Sequence, residues 1–353
     1  MVFGIVPPYL LDHIAALEEE PFREAATAAR NTLGNDGARR TARLTFSLDG
    51  SHNLVAEITD APDRTISDAR HSETLPGHRV RAEGGAPTGD VAVNEAYDGL
   101  GATFALYSEV YGRDSIDGKG LPLDGTVHYG HDYDNAFWNG ERMVFGDGDG
   151  QIFTRFTIAV DVIGPELTHG VTQYTAGLEY QGQSGALNES ISDVFGSLVA
   201  QYQHRQTAAE ASWLIGAGLF TKQVHGVALR SMKAPGTAYD DPQLGKDPQP
   251  ATMAGYVATT DDEGGVHTNS GIPNHAFYLV ATKLGGYAWE RAGQIWYDTL
   301  LSGISPTVDF AGFAAATVAA AQKRYGGSSA EVAAVRSGWS AVGVTSDGAA
   351  NGS

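Results

Sequence analysis

The segment at residues 165–169 reads Pro-Glu-Leu-Thr-His, which departs from the metal-binding helix pattern His-Glu-x-x-His only at its first residue. In that pattern two histidines four residues apart project from one helix face and hold a zinc ion, while the glutamate polarises the metal's water. Here Glu166 and His169 remain, and Pro165 stands where the first imidazole is expected. The segment therefore predicts an incomplete metal site.

Two further carboxylates follow about twenty residues after His169. Glu189 and Asp193 stand four residues apart in the segment GALNESISDVFG, so they share one face of a predicted helix. A carboxylate on a following helix can ligate a metal, and another one turn further on can orient the ligands through hydrogen bonds. This combination is far more specific than the pentapeptide alone.

Longer stretches around these residues resemble one protein family. The run PELTHGVTQYTAGLEYQGQSGALNESISDVFG resembles the thermolysin-like neutral metalloproteases over its whole length. NAFWNG, GDGDGQIF, LRSM and GGVHTNSGIPN look like further family blocks in family order, and the resemblance covers roughly Arg64 to Val344. IGAGL, RSMKAPGTAYDDP and PPYLL look most like the protealysin subgroup, whose members carry a short prosegment and lack a classical signal peptide.

The resemblance implies a role for each matching residue of the reaction centre. His169 and Glu189 match zinc ligands, and Glu166 matches the base that activates the zinc-bound water. Tyr180 and His267 match the residues that hydrogen-bond the tetrahedral oxyanion. Three more matches support these groups: Asp262, which holds the histidine in place, and Asp193 and Asn188 beside the ligands.

Other matching positions are implied to bind a peptide or protein substrate. Arg230 matches the guanidinium that binds a substrate carbonyl, and Asn135 and Ala136 match the edge along which the peptide backbone lies. Five residues line up with the specificity pocket on the primed side: Phe153, Phe156, Val162, Ile215 and Leu229. Because these side chains are apolar, the resemblance implies cleavage before a bulky hydrophobic residue.

Proline at position 165 changes what this site is expected to do. It costs about 3 kcal/mol or more inside a helix, but little as the first helical residue after Gly164. We therefore expect the helix to start late or to bend near residues 161–165. A catalytic zinc site takes three protein ligands. With two left, we expect much weaker zinc binding, reduced or absent hydrolysis, and Asp193 as an acid without its partner.

Two functions stay open at this point. The leading interpretation is a zinc metalloendopeptidase precursor that Pro165 impairs. The alternative is a non-catalytic pseudoprotease that binds peptides in the same groove without metal. Both use a peptide or protein as the partner.

Several other polar residues are expected to have no site role. Better-known relatives build a double calcium site from carboxylates, and calcium needs about six to eight oxygens. Only Asp161 is acidic among the matching positions, which otherwise are Ala200, Ser212, Leu214 and Ala217. No double calcium site is expected, and the DGDG loop is expected to be a turn. Four histidines are expected to be structural or exposed: His128, His131, His225 and His275.

Composition limits the classes of partner. The formal net charge is -19, with 23 Lys and Arg against 42 Asp and Glu, which argues against a nucleic-acid surface. The sequence has no cysteine, so any metal must bind His, Asp or Glu. No apolar run reaches the roughly 18 residues of a membrane span. The first twenty residues do not read as a secretory signal, which predicts a cytoplasmic protein or non-classical export.

The hydrophobic pattern predicts an α+β fold with a β-rich half followed by a helical half. The resemblance implies that these are two catalytic domains with the active-site cleft between them. Short β-branched and aromatic runs with Gly-Asp turns predict twisted antiparallel strands from Arg64 to about Arg155, within a β-rich domain at residues 56–160. Helical periodicity predicts a mostly helical domain at 161–345, with helices near 158–180, 185–205, 272–284, 287–302, 308–325 and 328–340. The last residues, 346–353, read as a disordered tail.

Residues 1–55 are expected to form a separate small helical segment. Apolar residues recur at helical spacing from Tyr9 to Leu33, and the stretch from Gly34 to Arg43 reads as a linker or processing site. An ordinary helical subdomain is one interpretation. The other, which agrees with the protealysin resemblance, is an inhibitory prosegment that places four residues at the cleft: Pro7, Pro8, Tyr9 and Leu10.

Overall fold

The computed structural model describes residues 3–18, 20–40 and 61–345. The chain forms two compact units, one of Met1–Gly170 with Gly218–Val224 and one of Val171–Ala217 with His225–Ser353. The expected prosegment boundary near residue 55 and the tail at 346–353 lie outside the described residues.

The first unit is built on a six-stranded sheet. Its strands are β1 (Phe3–Gly4), β2 (Arg64–Asp68), β3 (His78–Ala82), β4 (Leu123–Val127), β5 (Ala136–Trp138) and β6 (Arg142–Phe145). Their order across the sheet is β1-β5-β6-β4-β2-β3. The sheet therefore joins the N-terminal strand β1 to a strand that lies more than 130 residues later in the chain.

The sheet is mixed, and the expectation of antiparallel strands is wrong for its centre. β2 pairs with β4 and β4 pairs with β6 in parallel, while the outer pairs are antiparallel. Parallel neighbours need a long crossover connection. Between β2 and β4 that connection contains α3 (Val91–Ala105), a helix that the sequence pattern did not predict, followed by a π-helical turn at Leu106–Val110.

Two helices of the first forty residues also belong to the first unit. They are α1 (Pro8–Ala15) and α2 (Arg23–Arg40). The linker expected from Gly34 is wrong as far as Arg40, because α2 continues to that residue. Buried polar contacts within this stretch explain why: the Asp36 carboxylate accepts hydrogen bonds from Asn135 Nδ2 at 2.9 Å and from the Tyr133 hydroxyl at 2.5 Å. Tertiary hydrogen bonds thus override the weak helix propensity of the two glycines in this stretch.

Helices dominate the second unit, as the sequence pattern predicts. Helix α4 (Val160–Gln173) leads into it, and α5 (Gly182–His204), α6 (Asp262–Asn269), α7 (Gly271–Leu284), α8 (Ala292–Leu300), α9 (Phe310–Tyr325) and α10 (Ala330–Ala341) follow. Short two-residue strands form two pairs, β7 (Leu214–Ile215) with β8 (Arg230–Ser231), and β9 (Asp240–Asp241) with β10 (Gly245–Lys246). A 3-10 turn spans Met253–Gly255. The predicted fold class, a sheet-containing N-terminal part and a helical C-terminal part, is confirmed.

Among the described helices, none combines the length and the apolar character that crossing a membrane requires.

One histidine of the first unit links two distant loops. The His128 Nε2 lies 2.9 Å from Asp90 Oδ2, and its Nδ1 lies 2.9 Å from Asp147 Oδ1. Asp90 also caps α3, since its Oδ1 accepts from the Ala92 N–H at 2.9 Å. The bond to Asp147 raises the pKa of His128 to about 9, against burial and with the help of Asp90. The imidazolium thus ties the start of α3 to the loop at Asp147.

This ion pair predicts a pH dependence of stability. Because the pKa of His128 in the folded chain, about 9, lies above its ordinary value of 6.5, the stabilisation is complete below about pH 6.5 and is lost as the pH rises through 9. We expect His128→Gln to lower the free energy of unfolding by roughly 1–2 kcal/mol at pH 7 and by much less at pH 10. Urea unfolding at both pH values measures this difference.

His131→Gln is the matched control, because the His131 side chain is 85% exposed. A difference between His128→Gln and the parent that stays constant from pH 7 to pH 10 contradicts the assignment.

Candidate active site

Helix α4 continues through the proline. It begins at Val160, and Pro165 is its sixth residue. The Val162 N–H donates to the Ala159 carbonyl at 3.0 Å, so the first turn forms before the proline. The expected late start is therefore wrong, and a bend stays a prediction. Proline removes only the N–H that would reach the Asp161 carbonyl. Residues 161–172 are all buried, so packing supports the helix despite that loss.

Two glycines allow α4 to lie close to its neighbours in the first unit. A Cβ at Gly99 of α3 would stand 2.3 Å from Ile163 Cδ1, and one at Gly170 would stand 2.5 Å from Ile116 Cγ2. Both distances are too short for a real contact, so a side chain at either glycine would push α4 outward. Close packing thus fixes the turn at 166–169 relative to the sheet.

Glu166 and His169 lie on this turn of α4. Glu166 is fully buried, and its Oε2 accepts a hydrogen bond from the Trp138 N–H of β5 at 3.1 Å. His169 is 3% exposed. The backbone of β5 therefore fixes the direction of the carboxylate that the family resemblance identifies as the base.

The other side of β5 is covered by the N-terminus of the chain. β1 pairs with β5 in antiparallel register, with Phe3 opposite Trp138 and Gly4 opposite Phe137. The Ile5 N–H then donates to the Ala136 carbonyl at 3.0 Å. The edge that is expected to receive a substrate backbone is thus occupied by residues of the chain itself.

The contact between the N-terminal segment and β5 ends at Asn135. Its side chain is fully buried, and its Oδ1 accepts from the Val6 N–H at 2.9 Å and from the Ala136 N–H at 3.0 Å. The residues that lie along β5 are therefore those just before the expected inhibitory segment. Pro7 is the N-cap of α1, and the other three residues form its first turn: Pro8, Tyr9 and Leu10.

In the second unit, α5 carries the acidic pair that the sequence singles out. Glu189 is 4% exposed and Asp193 is 0% exposed. Asn188 donates from its Nδ2 to the Leu178 carbonyl at 3.2 Å, which holds the segment that leads to Tyr180. A burial this complete for two carboxylates requires partners.

A hydrogen-bond network joins α5 to α6 in the second unit. The Tyr180 hydroxyl donates to Glu189 Oε1 and lies 3.2 Å from His267 Nε2. The His267 Nδ1 lies 2.7 Å from Asp262 Oδ1, and the His267 N–H donates to Asp262 Oδ2 at 2.9 Å. Burial lowers the pKa of His267, but the charges of Asp262 and Glu189 outweigh it and raise the pKa. The network contains the tyrosine, histidine and aspartate that the resemblance groups together.

A close helix contact makes this network possible. A Cβ at Gly185 of α5 would stand 2.5 Å from Val266 Cγ1 of α6. Asp262 and the next three residues have positive φ, and the last two of them are Gly264 and Gly265. Glycine adopts that backbone without strain, so the chain turns sharply just before His267.

Asp193 is paired with Arg230, while its lack of a ligand histidine as partner stays a prediction. Its Oδ2 accepts from Arg230 Nε and its Oδ1 from Arg230 Nη2, both at 2.8 Å. Asn274 donates to the same carboxylate at 2.8 Å. A fully buried carboxylate is stable only with charged or polar donors around it. Arg230 therefore uses two of its donors to hold Asp193.

The five apolar residues implied to form a specificity pocket are all buried. In the first unit, the rings of Phe153 and Phe156 lie 5.6 Å apart between centroids, and Val162 lies on α4. In the second unit, the Leu229 N–H donates to the Ile215 carbonyl at 2.9 Å. The structure thus pairs Phe153 with Phe156 and Ile215 with Leu229.

The donor set does not fit a catalytic zinc site, because position 165 offers no ligand where three protein ligands are needed. In residues 3–18, 20–40 and 61–345, no group of three His, Cys, Asp or Glu side chains is arranged to hold a metal ion.

The absence of a double calcium site stays a prediction. In the DGDG loop, Asp149 Oδ1 accepts three backbone N–H groups, those of Gln151, Ile152 and Phe153.

Two residues of these networks were missed by the sequence reasoning. Asp36 of α2 bonds to Tyr133 and Asn135, which lie about 100 residues later, and no local pattern indicates such a contact. Asn274 bonds to Asp193. It lies within the block GGVHTNSGIPN, so its position in that block was a usable signal.

Known proteins resemble this chain over nearly its whole length. An extracellular metalloprotease of Pectobacterium carotovorum subsp. carotovorum is 51% identical over 97% of this chain and 96% of its own length. An extracellular minor metalloprotease of Serratia marcescens is 41% identical over 82% of this chain and 79% of its own length. The solved structure of the precursor of protealysin, a metalloproteinase from Serratia proteamaculans, has a TM-score of 0.86 and 53% identity, covering 97% of this chain and all of that one.

These relatives overturn one expectation. The prediction of a cytoplasmic protein or of non-classical export is wrong, because similar proteins are named as extracellular metalloproteases. It rested on the lack of a basic and then apolar pattern at the start of the sequence, and that pattern alone does not determine where a protein acts.

Two family descriptions match the chain in succession. The thermolysin metallopeptidase catalytic domain matches residues 33–173, and the thermolysin metallopeptidase α-helical domain matches residues 176–344. The family consists of zinc metalloendopeptidases. This chain belongs to the thermolysin family of metallopeptidases.

Proposed function

We propose that this chain is the precursor of an extracellular zinc metalloendopeptidase whose hydrolytic activity Pro165 impairs. The observation that carries the proposal is α4 itself. The helix is intact and buried, Glu166 is tied to the Trp138 N–H, and only the donor expected at position 165 is missing. The loss therefore concerns one ligand and not the folding of the site.

The remaining residues keep the roles that the family resemblance implies. Glu166 acts as the base, and His169 and Glu189 occupy two ligand positions. Without a firmly held metal, water near Glu166 keeps its ordinary high pKa and is a poor nucleophile. The short chain of bonds from Asp262 through His267 to Tyr180 supports their proposed contact with the oxyanion.

Substrate preference follows from apolar side chains and from Arg230. Phe153, Phe156 and their three apolar companions favour a bulky hydrophobic residue after the scissile bond. Arg230 is fixed by Asp193 through two bonds of 2.8 Å, which supports its proposed role toward a substrate carbonyl because a fixed guanidinium loses little entropy on binding.

The first forty residues act as an inhibitory prosegment in this proposal. β1 adds a strand to β5, and Val6 bonds to Asn135, so the chain's own backbone takes the edge on which a substrate would lie. Strand addition uses main-chain hydrogen bonds and needs no metal.

The same edge supports a second candidate function. A pseudoprotease would bind an extended peptide along β5 without zinc, since the β1–β5 pairing shows that this edge accepts an extended chain. Restoring the missing ligand distinguishes the two functions.

The first test is Pro165→His. We expect it to raise zinc affinity at least about a hundredfold, because it supplies the third ligand, and to give casein hydrolysis that a chelator abolishes. Zinc per chain is measured by mass spectrometry after removal of metal and reloading. Hydrolysis is measured with and without the chelator.

Pro165→Ala is the matched control, because it restores the backbone N–H without adding a ligand. Its zinc affinity should equal that of the parent. Nanomolar zinc binding and turnover by the unmodified chain would overturn the proposed impairment. A Pro165→His chain that binds zinc yet never hydrolyses casein would favour the pseudoprotease.

The second test concerns the N-terminal strand. A Cβ at Gly4 would stand 2.5 Å from Asn135 Nδ2, so Gly4→Ala should displace β1 from β5. We expect faster hydrogen exchange at Ile5, and an earlier onset of hydrolysis when the substitution is combined with Pro165→His. Exchange is followed by mass spectrometry.

Gly34→Ala serves as the control, because a Cβ at Gly34 meets nothing within 4 Å. If Gly4→Ala and Gly34→Ala exchange equally at Ile5, the strand pairing does not hold the prosegment.

A further inference from the structure

Asp36 of α2 reaches the same asparagine as the N-terminal strand. Its carboxylate is 6% exposed. Oδ2 accepts a hydrogen bond from Asn135 Nδ2 at 2.9 Å, and Oδ1 accepts one from the Tyr133 hydroxyl at 2.5 Å. Two separate parts of the first forty residues, Val6 and Asp36, therefore bond to one amide.

The bonds at Asn135 define which way its amide points. Oδ1 faces two donors, the N–H groups of Val6 and Ala136, while Nδ2 faces the Asp36 carboxylate. A rotated amide would set its NH₂ group against two N–H groups and its oxygen against a carboxylate. Both contacts would be repulsive, so Asp36 and Val6 favour the same orientation.

We propose that Asp36 is a positioning residue of the prosegment, which orients the Asn135 amide so that its oxygen holds Val6. This inference rests on the proposed inhibitory role of the prosegment and specifies what regulates it. A bond to a charged group inside a buried environment is stronger than one between neutral groups. The carboxylate of Asp36 thus stabilises the strand contact through Asn135 without touching the strand.

The arrangement has a consequence for release of the site. The bonds that Val6 and Asp36 make in this group reach residues 133–135, so cleavage of the chain after Arg40 breaks none of them. Cleavage alone therefore leaves these contacts of the prosegment in place.

The decisive variant is Asp36→Ala in the full chain. We expect the amides of Ile5 and Val6 to exchange about tenfold faster, and about threefold faster in Asp36→Asn, whose neutral oxygen still accepts from Asn135. Gly4→Ala is the positive control. Asp12→Ala, which removes an exposed carboxylate of α1, should leave the exchange unchanged.

Thr32→Ala tests whether Asp36 positions Asn135 or only helps to hold α2 in place. Thr32 accepts the Asp134 N–H at 3.0 Å, whereas the Asn135 amide bonds to Val6, Ala136 and Asp36. We expect it to loosen α2 but to change exchange at Ile5 and Val6 by less than twofold.

Equal increases in exchange at Ile5 and Val6 in Thr32→Ala and Asp36→Ala would overturn the proposal. So would unchanged exchange at these two amides in Asp36→Ala while Gly4→Ala increases it. Amide hydrogen exchange can be measured whether or not the chain hydrolyses a substrate. A failure of Pro165→His to cleave casein would count against the proposed function and leave this measurement valid.

Discussion

The unit that carries Glu166 depends on how the short strand β5 satisfies its backbone groups. A sheet edge with open N–H and C=O groups accepts further strands. In this chain β6 pairs with one side of β5, β1 pairs with the other, and the Trp138 N–H donates to Glu166. One strand of three residues therefore orients the Glu166 carboxylate and pairs with the N-terminal strand. We propose that the inhibitory strand β1 and a substrate peptide compete for the same backbone edge of β5.

Burial explains why a proline is tolerated at the centre of such a site. Proline removes one N–H and therefore one helical hydrogen bond, whereas residues 161–172 are all buried. Gly99 and Gly170 let this helix pack close to its neighbours. The free energy of burying this helix exceeds the local cost of Pro165. Packing cannot supply a ligand, so the proposed impairment concerns the metal site and not the fold.

Local periodicity made much of the fold predictable. The helices expected near 185–205, 308–325 and 328–340 correspond to α5, α9 and α10, because a period of 3.6 residues is visible within one segment. The parallel pairing of β2, β4 and β6 was not predictable in this way. Strand direction depends on how the chain crosses between the paired strands, which β3 and α3 separate in one case and β5 in the other. The buried residues of α3 recur at helical spacing, so this helix was readable from the sequence although it was not predicted.

The sequence alone determined the family and showed that proline stands where the pattern expects the first histidine, since both depend on residue identity and spacing. Only the tertiary structure decided that Arg230 holds Asp193 and that Val6 and Asp36 share the Asn135 amide. The partners in these bonds lie 37 to 129 residues apart. Such contacts form when buried charges and the open backbone groups of strand edges find hydrogen-bond partners in the folded chain. No local sequence pattern specifies which distant residue becomes the partner.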